Sequence, residues 1–256
     1  MPEIRVTPIP AFTDNYIWLL SNGGSRCAVV DPGDAKPVLS ELRRRDLILD
    51  TILLTHHHAD HIGGVPQLVA ETGAAVHGPL DPRIGGLTSS LAEGETLELP
   101  SMGLRFQVME VPGHTSSHIA FYGHGSLFCG DTLFSVGCGR MFEGTAEQMQ
   151  ASLDRIAELP PETRVFCAHE YTLANCDFAR AVEPGNTELA RRASEVEACR
   201  ASGRITIPST LGQELAVNPF LRTREPGVVK AARKRVSGAS PGASTFAVIR
   251  AWKDGF

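Results

Sequence analysis

Apolar and polar positions recur along most of the chain with two different periods. Short apolar runs rich in β-branched residues are typical of strands whose faces are covered by other elements. Such runs lie at residues 4–9, 16–20, 27–30, 51–54 and 74–76. Between two of them, residues 37–45 place Val38, Leu39 and Leu42 on one face of a helix and four charged residues on the other. The pattern predicts a domain in which strands and helices are mixed along the chain.

The pattern becomes mainly helical toward the C-terminus. A helix is expected to begin at Thr145, because Gln148 three residues later completes the sequence signature of a capping box. Pro160-Pro161 should end it. After Tyr171 strand-like runs become scarce, and the periodicity predicts helices around residues 173–181, 187–201 and 226–236. We therefore predict two domains, residues 1–170 and 171–256.

The densest group of polar side chains directly follows one of the predicted strands. Residues 55–61 read Thr-His-His-His-Ala-Asp-His. In an extended chain, side chains two residues apart point the same way, so His56 and His58 should converge. The helical spacing that follows puts Asp60 and His61 in a first helical turn, facing a second point. Because one metal needs three or four ligands, two adjacent pairs indicate two metals side by side. The alternative is a solvated polar loop. A dense set of histidines and an aspartate is rarely structural, because burying these groups without partners is costly, so we favour metal binding.

Three further predicted strands each lead to a residue that can bind a metal. Residues 104–111 lead to His114, residues 126–129 to Asp131, and residues 163–167 to His169. In layered α/β folds, catalytic groups gather on the loops at one edge of the sheet. A carboxylate such as that of Asp131 has two oxygens and can bridge two cations. Imidazole and carboxylate ligands together suit Zn²⁺, Fe or Mn²⁺.

These motifs resemble the metallo-β-lactamase superfamily. Its pattern is His-x-His-x-Asp-His followed by Gly-His-Thr, Gly-Asp-Thr and a late His, and it marks no single activity. Further motifs are similar to glyoxalase II, the hydroxyacylglutathione hydrolases. They lie at residues 130–134, 137–140, 143–145, 167–172, 218–222 and 250–253. The resemblance therefore covers nearly the whole chain.

The resemblance implies an α/β fold, a four-layer αββα sandwich with a C-terminal helical domain. It also implies two divalent ions per chain, with Zn²⁺ expected and Fe or Mn as alternatives. The implied ligands are His56, His58 and His114 for the first metal, Asp60, His61 and His169 for the second, and Asp131 as the bridge. A hydroxide shared by the metals would be the nucleophile, with Asp60 and Asp131 as the catalytic carboxylates.

Several residues near the implied ligands have other expected roles. His57 and His118 should make structural hydrogen bonds or face solvent. For Asp31, in a Val-Asp-Pro-Gly sequence, two interpretations remain: plain turn chemistry, or a carboxylate that orients a ligand histidine. Ser117 and Phe142 depart from the family, which often has glycine at the first position and in some members tyrosine at the second.

The C-terminal segment is basic, which bears on the substrate. Residues 222–253 contain eight Lys or Arg residues and one acidic residue. A glutathione conjugate carries two carboxylates and requires a basic pocket. The alternatives are a solvated basic face or a nucleic-acid patch. The resemblance narrows the substrate-binding set to Arg250 and Lys253, with Arg140 and Tyr171 nearer the metals.

The function implied is hydrolysis of S-(2-hydroxyacyl)glutathione thioesters by a dinuclear metal enzyme. S-D-lactoylglutathione would yield glutathione and D-lactate, the second step of methylglyoxal detoxification. A thioester suits this site because its thiolate leaving group is stable near neutral pH. No serine nucleophile is needed for this reaction. Three rivals remain: a glutathione-persulfide dioxygenase with one iron, a lactonase or β-lactamase, and a metal-dependent nuclease.

Composition and charge narrow the expected surroundings. Of the 256 residues, 42% are hydrophobic and 21% charged, as in ordinary globular proteins. The formal net charge of −5 argues against a general nucleic-acid surface. We find no signal-like N-terminal segment, no apolar run of membrane-spanning length and no disulfide-like cysteine spacing among the six cysteines. We therefore expect a cytoplasmic monomer whose partner is a small glutathione thioester, with neither membrane nor nucleic acid.

Overall fold

The predicted strands and helices are present in the computed structural model, which describes residues 4–256. The strands are β1 (Arg5–Ala11), β2 (Asn15–Ser21), β3 (Arg26–Val30), β4 (Ile48–Leu53), β5 (Ala75–Pro79), β6 (Ser89–Leu91), β7 (Thr96–Leu99), β8 (Leu104–Glu110), β9 (Ile119–Gly123), β10 (Ser126–Gly130), β11 (Leu133–Phe134), β12 (Gly137–Cys138), β13 (Arg164–Cys167) and β14 (Ser209–Thr210). The helices are α1 (Ala35–Arg45), α2 (Ala59–Ile62), α3 (Val65–Thr72), α4 (Ala146–Ala157), α5 (Thr172–Val182), α6 (Thr187–Ala201), α7 (Leu211–Val217), α8 (Pro226–Arg233) and α9 (Ala243–Asp254).

The chain divides into two compact units. The first runs to Glu110 and also includes Ser117–Gly130. The second comprises Val111–Ser116 and Asp131–Phe256. The domains expected from the sequence, residues 1–170 and 171–256, are continuous segments and do not coincide with these units. The boundary between residues 170 and 171 stays a prediction.

The first unit contains a mixed sheet in the order β1-β2-β3-β4-β5-β6. Strands β1 to β3 are antiparallel, and β3 to β6 are parallel. Parallel neighbours need crossover connections, which α1 supplies between β3 and β4, and α2 with α3 between β4 and β5. Burial from both sides explains the continuous apolar runs, and all seven residues of β2 are buried.

The predicted helix at residues 37–45 begins two residues earlier than expected. Asp34 accepts a hydrogen bond from the backbone N–H of Lys36 and so caps the helix at Ala35. Val38, Leu39 and Leu42 are buried in the apolar cluster of this unit, as the periodicity predicted. The helix is therefore fixed both by its cap and by its apolar face.

The first unit also contains β7 to β10, which form an antiparallel meander. Leu104, Phe106 and Val108 of β8 are buried, while Arg105 and Gln107 are exposed. This alternation confirms the half-buried strand that the sequence predicted.

The second unit contains the β11–β12 hairpin, the β13–β14 pair and helices α4 to α9. Helix α4 begins with the predicted capping box, in which Thr145 and Gln148 satisfy each other's backbone N–H groups. Helix α6 has the predicted bounds. Helix α8 ends at Arg233, earlier than predicted, and Val236 beyond it is half exposed, so no buried face extends the helix there.

Candidate metal centre and ligand pocket

The loop after β4 gathers His56, His58, Asp60 and His61 in the first unit. Helix α2 begins at Ala59 with His58 as its N-cap, so Asp60 and His61 lie in a first helical turn, as predicted. The ring centroid of His56 lies 4.7 Å from that of His58 and 4.1 Å from that of His61. Ligand atoms of His56 and His58, of His56 and His61, and of Asp60 and His61 lie within 4.8 Å of each other.

His57 turns toward a different group of side chains. Its ring centroid is 6.3 Å from that of His56, and its Nδ1 lies 3.5 Å from Oδ2 of Asp81. Arg83 donates to both oxygens of Asp81, and these hydrogen bonds hold the pKa of that carboxyl well below its usual range. Ser117, the departure from glycine, donates its hydroxyl to the same carboxylate at 2.5 Å. Its hydroxyl thus has a defined partner here.

Asp31 makes the contacts expected of an orienting carboxylate and also forms a turn. Its Oδ1 and Oδ2 accept hydrogen bonds from the backbone N–H and the hydroxyl of Thr55 at 2.8 and 2.7 Å. Its Oδ2 lies 3.1 Å from Nδ1 of His61. Its backbone has a φ of +53°, which is a turn conformation. The two interpretations of Asp31 are therefore compatible.

Two residues in this unit were not identified from the sequence. Thr55 lies 3.0 Å from Nδ1 of His56 through its hydroxyl. Asn15 donates its Nδ2 to Oδ2 of Asp60 at 3.0 Å, across 45 residues of sequence. Neither residue type suggests a role near a metal by itself, so no sequence signal marked them.

His118 lies beside this loop. Its ring stacks on that of His56 at 4.6 Å with an interplanar angle of 16°, and its Nδ1 lies 3.0 Å from the backbone carbonyl of Ile119. A hydrogen bond to that carbonyl would make Nδ1 the protonated nitrogen. The contacts agree with the structural role expected from the sequence.

In the second unit, Asp131 lies between two histidines. Its Oδ2 is 3.5 Å from Nε2 of His114, and its Oδ1 is 3.3 Å from Nε2 of His169. Nδ1 of His114 lies 2.7 Å from the carbonyl of Arg140 and donates to it, which directs Nε2 toward the carboxylate. Gly139 makes this approach possible, since a Cβ there would lie 1.9 Å from the carbonyl oxygen of Asp131.

The donor sets of both units suit divalent metal ions. Each combines imidazole nitrogens with a carboxylate, which are ligands of Zn²⁺, Fe and Mn²⁺. Each also has neighbours that fix ring orientation through the second ring nitrogen, as metal-binding histidines usually have. The chemistry of the side chains therefore fits the metal binding that the sequence predicted.

A cavity of about 420 Å³ in the second unit contains two of these ligands. Its lining comprises His114, Asp131, Phe134, Cys138, Gly139, Arg140, Phe142, Tyr171, Ala174, Asn175, Arg250 and Lys253. The ring of Tyr171 stacks on that of His169 at 4.8 Å and meets that of Phe134 at 5.4 Å. Phe142 is 63% exposed, with its ring 5.3 Å from that of His114. All four predicted substrate-binding residues line this cavity.

Arg250 and Lys253 lie on α9 and are held from several directions. Arg250 is 2% exposed and donates to the carbonyl of Cys138 at 2.9 Å and to Asp254 at 3.1 Å. Its Nε has no hydrogen-bond partner within residues 4–256. Lys253 donates its Nζ to Oδ1 of Asn175. Burial, and then the charge of Arg250, lower the pKa of Lys253 to about 8.

The remaining pocket residues differ in character. Arg140 is largely exposed, and its Nε lies 3.5 Å from Asp254. Burial raises the pKa of the Cys138 thiol, so it is not a reactive thiolate. A larger cavity of about 530 Å³ in the same unit surrounds the ion pair of Glu183 and Arg222 and contains none of the candidate ligands. The chemistry therefore points to the smaller cavity.

Within residues 4–256, no helix combines the length and apolar character needed to cross a bilayer. The expected cytoplasmic location and monomeric state stay predictions.

Two family models match adjoining parts of the chain. The model of the metallo-beta-lactamase superfamily matches residues 11–169, and that of the hydroxyacylglutathione hydrolase C-terminus matches residues 170–256. A hydroxyacylglutathione hydrolase of Ectopseudomonas mendocina is 54% identical over 99% of this chain and 100% of its own length. One of Vibrio parahaemolyticus is 53% identical with the same coverage.

Solved structures share the fold. ETHE1 from Myxococcus xanthus has a TM-score of 0.65 and 24% identity, covering 98% of this chain and 97% of its own. TTHA1623 in a di-iron-bound form has a TM-score of 0.61 and 29% identity, covering 84% of this chain and 100% of its own. The metallo-β-lactamase fold with a helical C-terminal region, predicted from the sequence, is thereby confirmed.

Proposed function

The chain belongs to the hydroxyacylglutathione hydrolase family of the metallo-β-lactamase superfamily, and we propose that it hydrolyses S-(2-hydroxyacyl)glutathione thioesters. S-D-lactoylglutathione is the main substrate of this proposal, and its products are glutathione and D-lactate. The observation that carries the proposal is the composition of one cavity. It is lined both by candidate metal ligands, His114 and Asp131, and by two cations, the buried Arg250 and the partly buried Lys253.

We assign the metal ligands motif by motif from the family pattern. By this assignment His56, His58 and His114 would hold the first ion, Asp60, His61 and His169 would hold the second, and Asp131 would be a ligand of both. We propose Zn²⁺, with Fe or Mn as alternatives, and two ions per chain. TTHA1623, the 29% identical relative, carries two irons. Divalent ions held there would lower the pKa of water and so supply a hydroxide nucleophile near pH 7.

The side chains around the ligands hold them ready for this reaction. Asp31 lies beside Nδ1 of His61, and His61 presents Nε2 at 3.5 Å from Asp60. We assign to Asp60 and Asp131 the orientation of the attacking hydroxide, because their carboxylate oxygens can accept a hydrogen bond from it. The thiolate leaves without a proton donor, since thiols ionise only a little above neutral pH. The chain therefore needs no general acid for the leaving group.

The basic end of the cavity suits the peptide part of the substrate. We propose that Arg250 and Lys253 bind the glycine carboxylate of glutathione, and that Arg140 and Tyr171 contact the peptide nearer the thioester. The Nε of Arg250 is buried and has no hydrogen-bond partner within residues 4–256, so its N–H can donate to that carboxylate. A charge-assisted hydrogen bond to a carboxylate is among the stronger contacts that a pocket can make.

The principal rival is a glutathione-persulfide dioxygenase with one iron. Asp60, His61 and His169 would be a second ligand set, which a single metal would not need. A lactonase or β-lactamase would not need the basic C-terminal pocket, and a nuclease would bind polynucleotides with steep salt dependence.

Metal content and turnover of a glutathione thioester, measured on the same preparation, test the proposal. We expect about two metals per chain. We also expect hydrolysis of S-D-lactoylglutathione, which is measured as the free thiol that it releases. The D-lactoyl thioester of N-acetylcysteamine, which lacks the peptide, should be a much poorer substrate. Oxygen uptake with glutathione persulfide, or faster turnover of a lactone or β-lactam than of the thioester, would refute the proposal.

A further inference from the structure

A short hairpin in the second unit has a strained backbone. Strands β11 and β12 pair Leu133 with Cys138 and Phe134 with Gly137, and Ser135 and Val136 form the turn. Val136 has a φ of +59°, in the left-handed region. A β-branched residue is rarely found there, because its side chain crowds the backbone. Such a conformation persists only where the surroundings enforce it.

Side chains from the helical part of the unit bind five polar backbone groups of this hairpin. The amide of Asn218 donates to the carbonyls of Phe134 and Gly137 at 3.1 and 2.9 Å. Asn175 donates to the carbonyl of Ser135 at 2.9 Å, and Arg250 to that of Cys138 at 2.9 Å. The N–H of Val136 donates to Oε2 of Glu214 at 2.7 Å. A two-stranded hairpin alone is marginally stable, so these bonds are its main support.

Glu214 and Asn218 are the centre of this arrangement. Both are fully buried, and Asn218 also donates to Oε2 of Glu214 at 3.0 Å. Burial raises the pKa of Glu214. A buried carboxyl is costly, and here its oxygen is used for the strained turn and for Asn218. The side chain of Val136 completes the support, because it packs in an apolar cluster with Ala179 and Val217.

The hairpin forms part of the cavity wall. Phe134 and Cys138 line the cavity, and the ring of Phe134 packs against Tyr171. Asn218 begins the Asn-Pro-Phe-Leu-Arg motif of residues 218–222, and it accepts the N–H of Phe220 at 3.1 Å. The ring of Phe220 lies under the guanidinium of Arg250 at 5.1 Å. The motif therefore supports both the wall and one of the cavity's cations.

We propose that Glu214 and Asn218 are positioning residues that hold the β11–β12 hairpin in its strained conformation and thereby shape the cavity for the glutathione part of the substrate. The inference rests on the proposed function. Neither residue touches the substrate in this proposal. Their effect reaches it through Phe134 and through the carbonyls to which the pocket residues Asn175 and Arg250 donate.

Substitution of Glu214 tests the inference. Glu214→Leu removes the acceptor of the Val136 N–H, and we expect KM for S-D-lactoylglutathione to rise roughly 10- to 100-fold. Metal content should be unchanged, and kcat/KM for the N-acetylcysteamine thioester should stay within about threefold. Glu214→Gln keeps an acceptor oxygen in the same place and should restore KM. Glu197→Leu, which removes an exposed carboxylate on α6, is the matched control and should leave both substrates unaffected.

Hydrogen exchange at the hairpin gives a second measurement. Amides of residues 133–138 should exchange faster in Glu214→Leu than in the wild type, with other segments little changed. If Glu214→Leu does not fold, Asn218→Ala tests the same support of the hairpin. It removes the hydrogen bonds to the carbonyls of Phe134 and Gly137 but keeps the bond from the Val136 N–H to Glu214. An unchanged KM in a folded variant, or equal losses with both thioesters, would overturn the inference. A wild-type chain that hydrolyses neither thioester would instead overturn the proposed function.

Discussion

The loop of residues 56–61 and the last turns of α9 both contain candidate functional side chains, but the two groups are supported differently. His56, His58, Asp60 and His61 come from six consecutive residues, and their arrangement follows from one strand end and one short helix. The cations of α9 depend on distant partners. Arg250 donates to a carbonyl 112 residues away in sequence, and Lys253 to an amide 78 residues away.

This difference separates two kinds of consequence. A candidate metal ligand in the loop should contribute mainly to chemistry, because its geometry is set locally. A cation of α9 should contribute both to binding and to the packing of the second unit, since it also satisfies groups of the protein itself. Substitutions in the loop should therefore mainly affect kcat and metal content, whereas substitutions on α9 should affect KM and stability.

Removal of the metals should have the largest effect. We expect a chelator to abolish turnover and added Zn²⁺ to restore it, with about two ions per chain in the active form. The metal-free chain should still bind glutathione, because Arg250 and Lys253 are held by protein groups. Elemental analysis, a turnover assay and calorimetry of glutathione binding test this. Loss of glutathione binding in parallel with the metals would contradict the separation between the two regions.

Asp131→Ala should lower kcat by at least about a thousandfold and reduce metal content. The reason is that Asp131 is the proposed ligand of both ions, and its two oxygens lie near Nε2 of His114 and of His169. His57→Ala is the comparison within the loop. His57 lies beside Asp81 and belongs to none of the candidate metal-binding groups of residues 4–256, so its loss should cost less than about tenfold in kcat. Kinetics and metal analysis of the two variants side by side give the answer. Equal losses would mean that the alternating arrangement of the loop is wrong.

Arg250→Ala and Lys253→Ala should each raise KM for the glutathione thioester about 10- to 150-fold, as expected for a lost charge-assisted hydrogen bond. Their kcat should change less, since these contacts lie far from the reacting carbon. Arg250→Ala should also lower the free energy of unfolding by roughly 1–3 kcal/mol, because the carbonyl of Cys138 loses its donor.

Steady-state kinetics with two substrates and denaturant unfolding measure these effects. The thioester of N-acetylcysteamine serves as control, because it has no glycine carboxylate and should be indifferent to both substitutions. Losses of equal size with both thioesters would make Arg250 and Lys253 structural residues only.

The pH dependence of binding should show the smallest effect. The pKa of Lys253 lies at about 8, lowered by burial, so its ammonium is lost above that pH. KM for the glutathione thioester should rise roughly fourfold at pH 8.5 and about elevenfold at pH 9 if only the ammonium form binds. Lys253→Arg should flatten this profile, because arginine stays protonated. An identical rise in that variant would assign the titration to another group.

The same titration affects stability in the opposite direction. Between pH 8 and about 10.5 the unfolded chain keeps the proton on Lys253 and the folded chain has lost it. The unfolded state then binds more protons, so the contribution of Lys253 to the free energy of unfolding increases as pH rises through this interval. Denaturant unfolding of the wild type and Lys253→Met at pH 7.5 and 9.5 would detect it as a difference that is absent in the variant.

Much of the fold follows from local features of the sequence. The apolar runs predicted strands β1 to β5, and the capping box of Thr145 and Gln148 predicted the start of α4. The ligand loop was predictable for the same reason. Strand alternation and the first turn of a helix fix directions over a few residues, so His56, His58, Asp60 and His61 have a geometry that needs little else.

Other features were decided only by the tertiary structure. No spacing indicated that Asn15 donates to Asp60, that Asn175 accepts from Lys253, or that Glu214 holds Val136. These partners lie far apart along the chain, and buried polar groups bond to whatever donor or acceptor the packing brings within reach. The sequence by itself therefore determined which residues can bind metal and where the elements run. The packing determined which distant polar groups bond to one another.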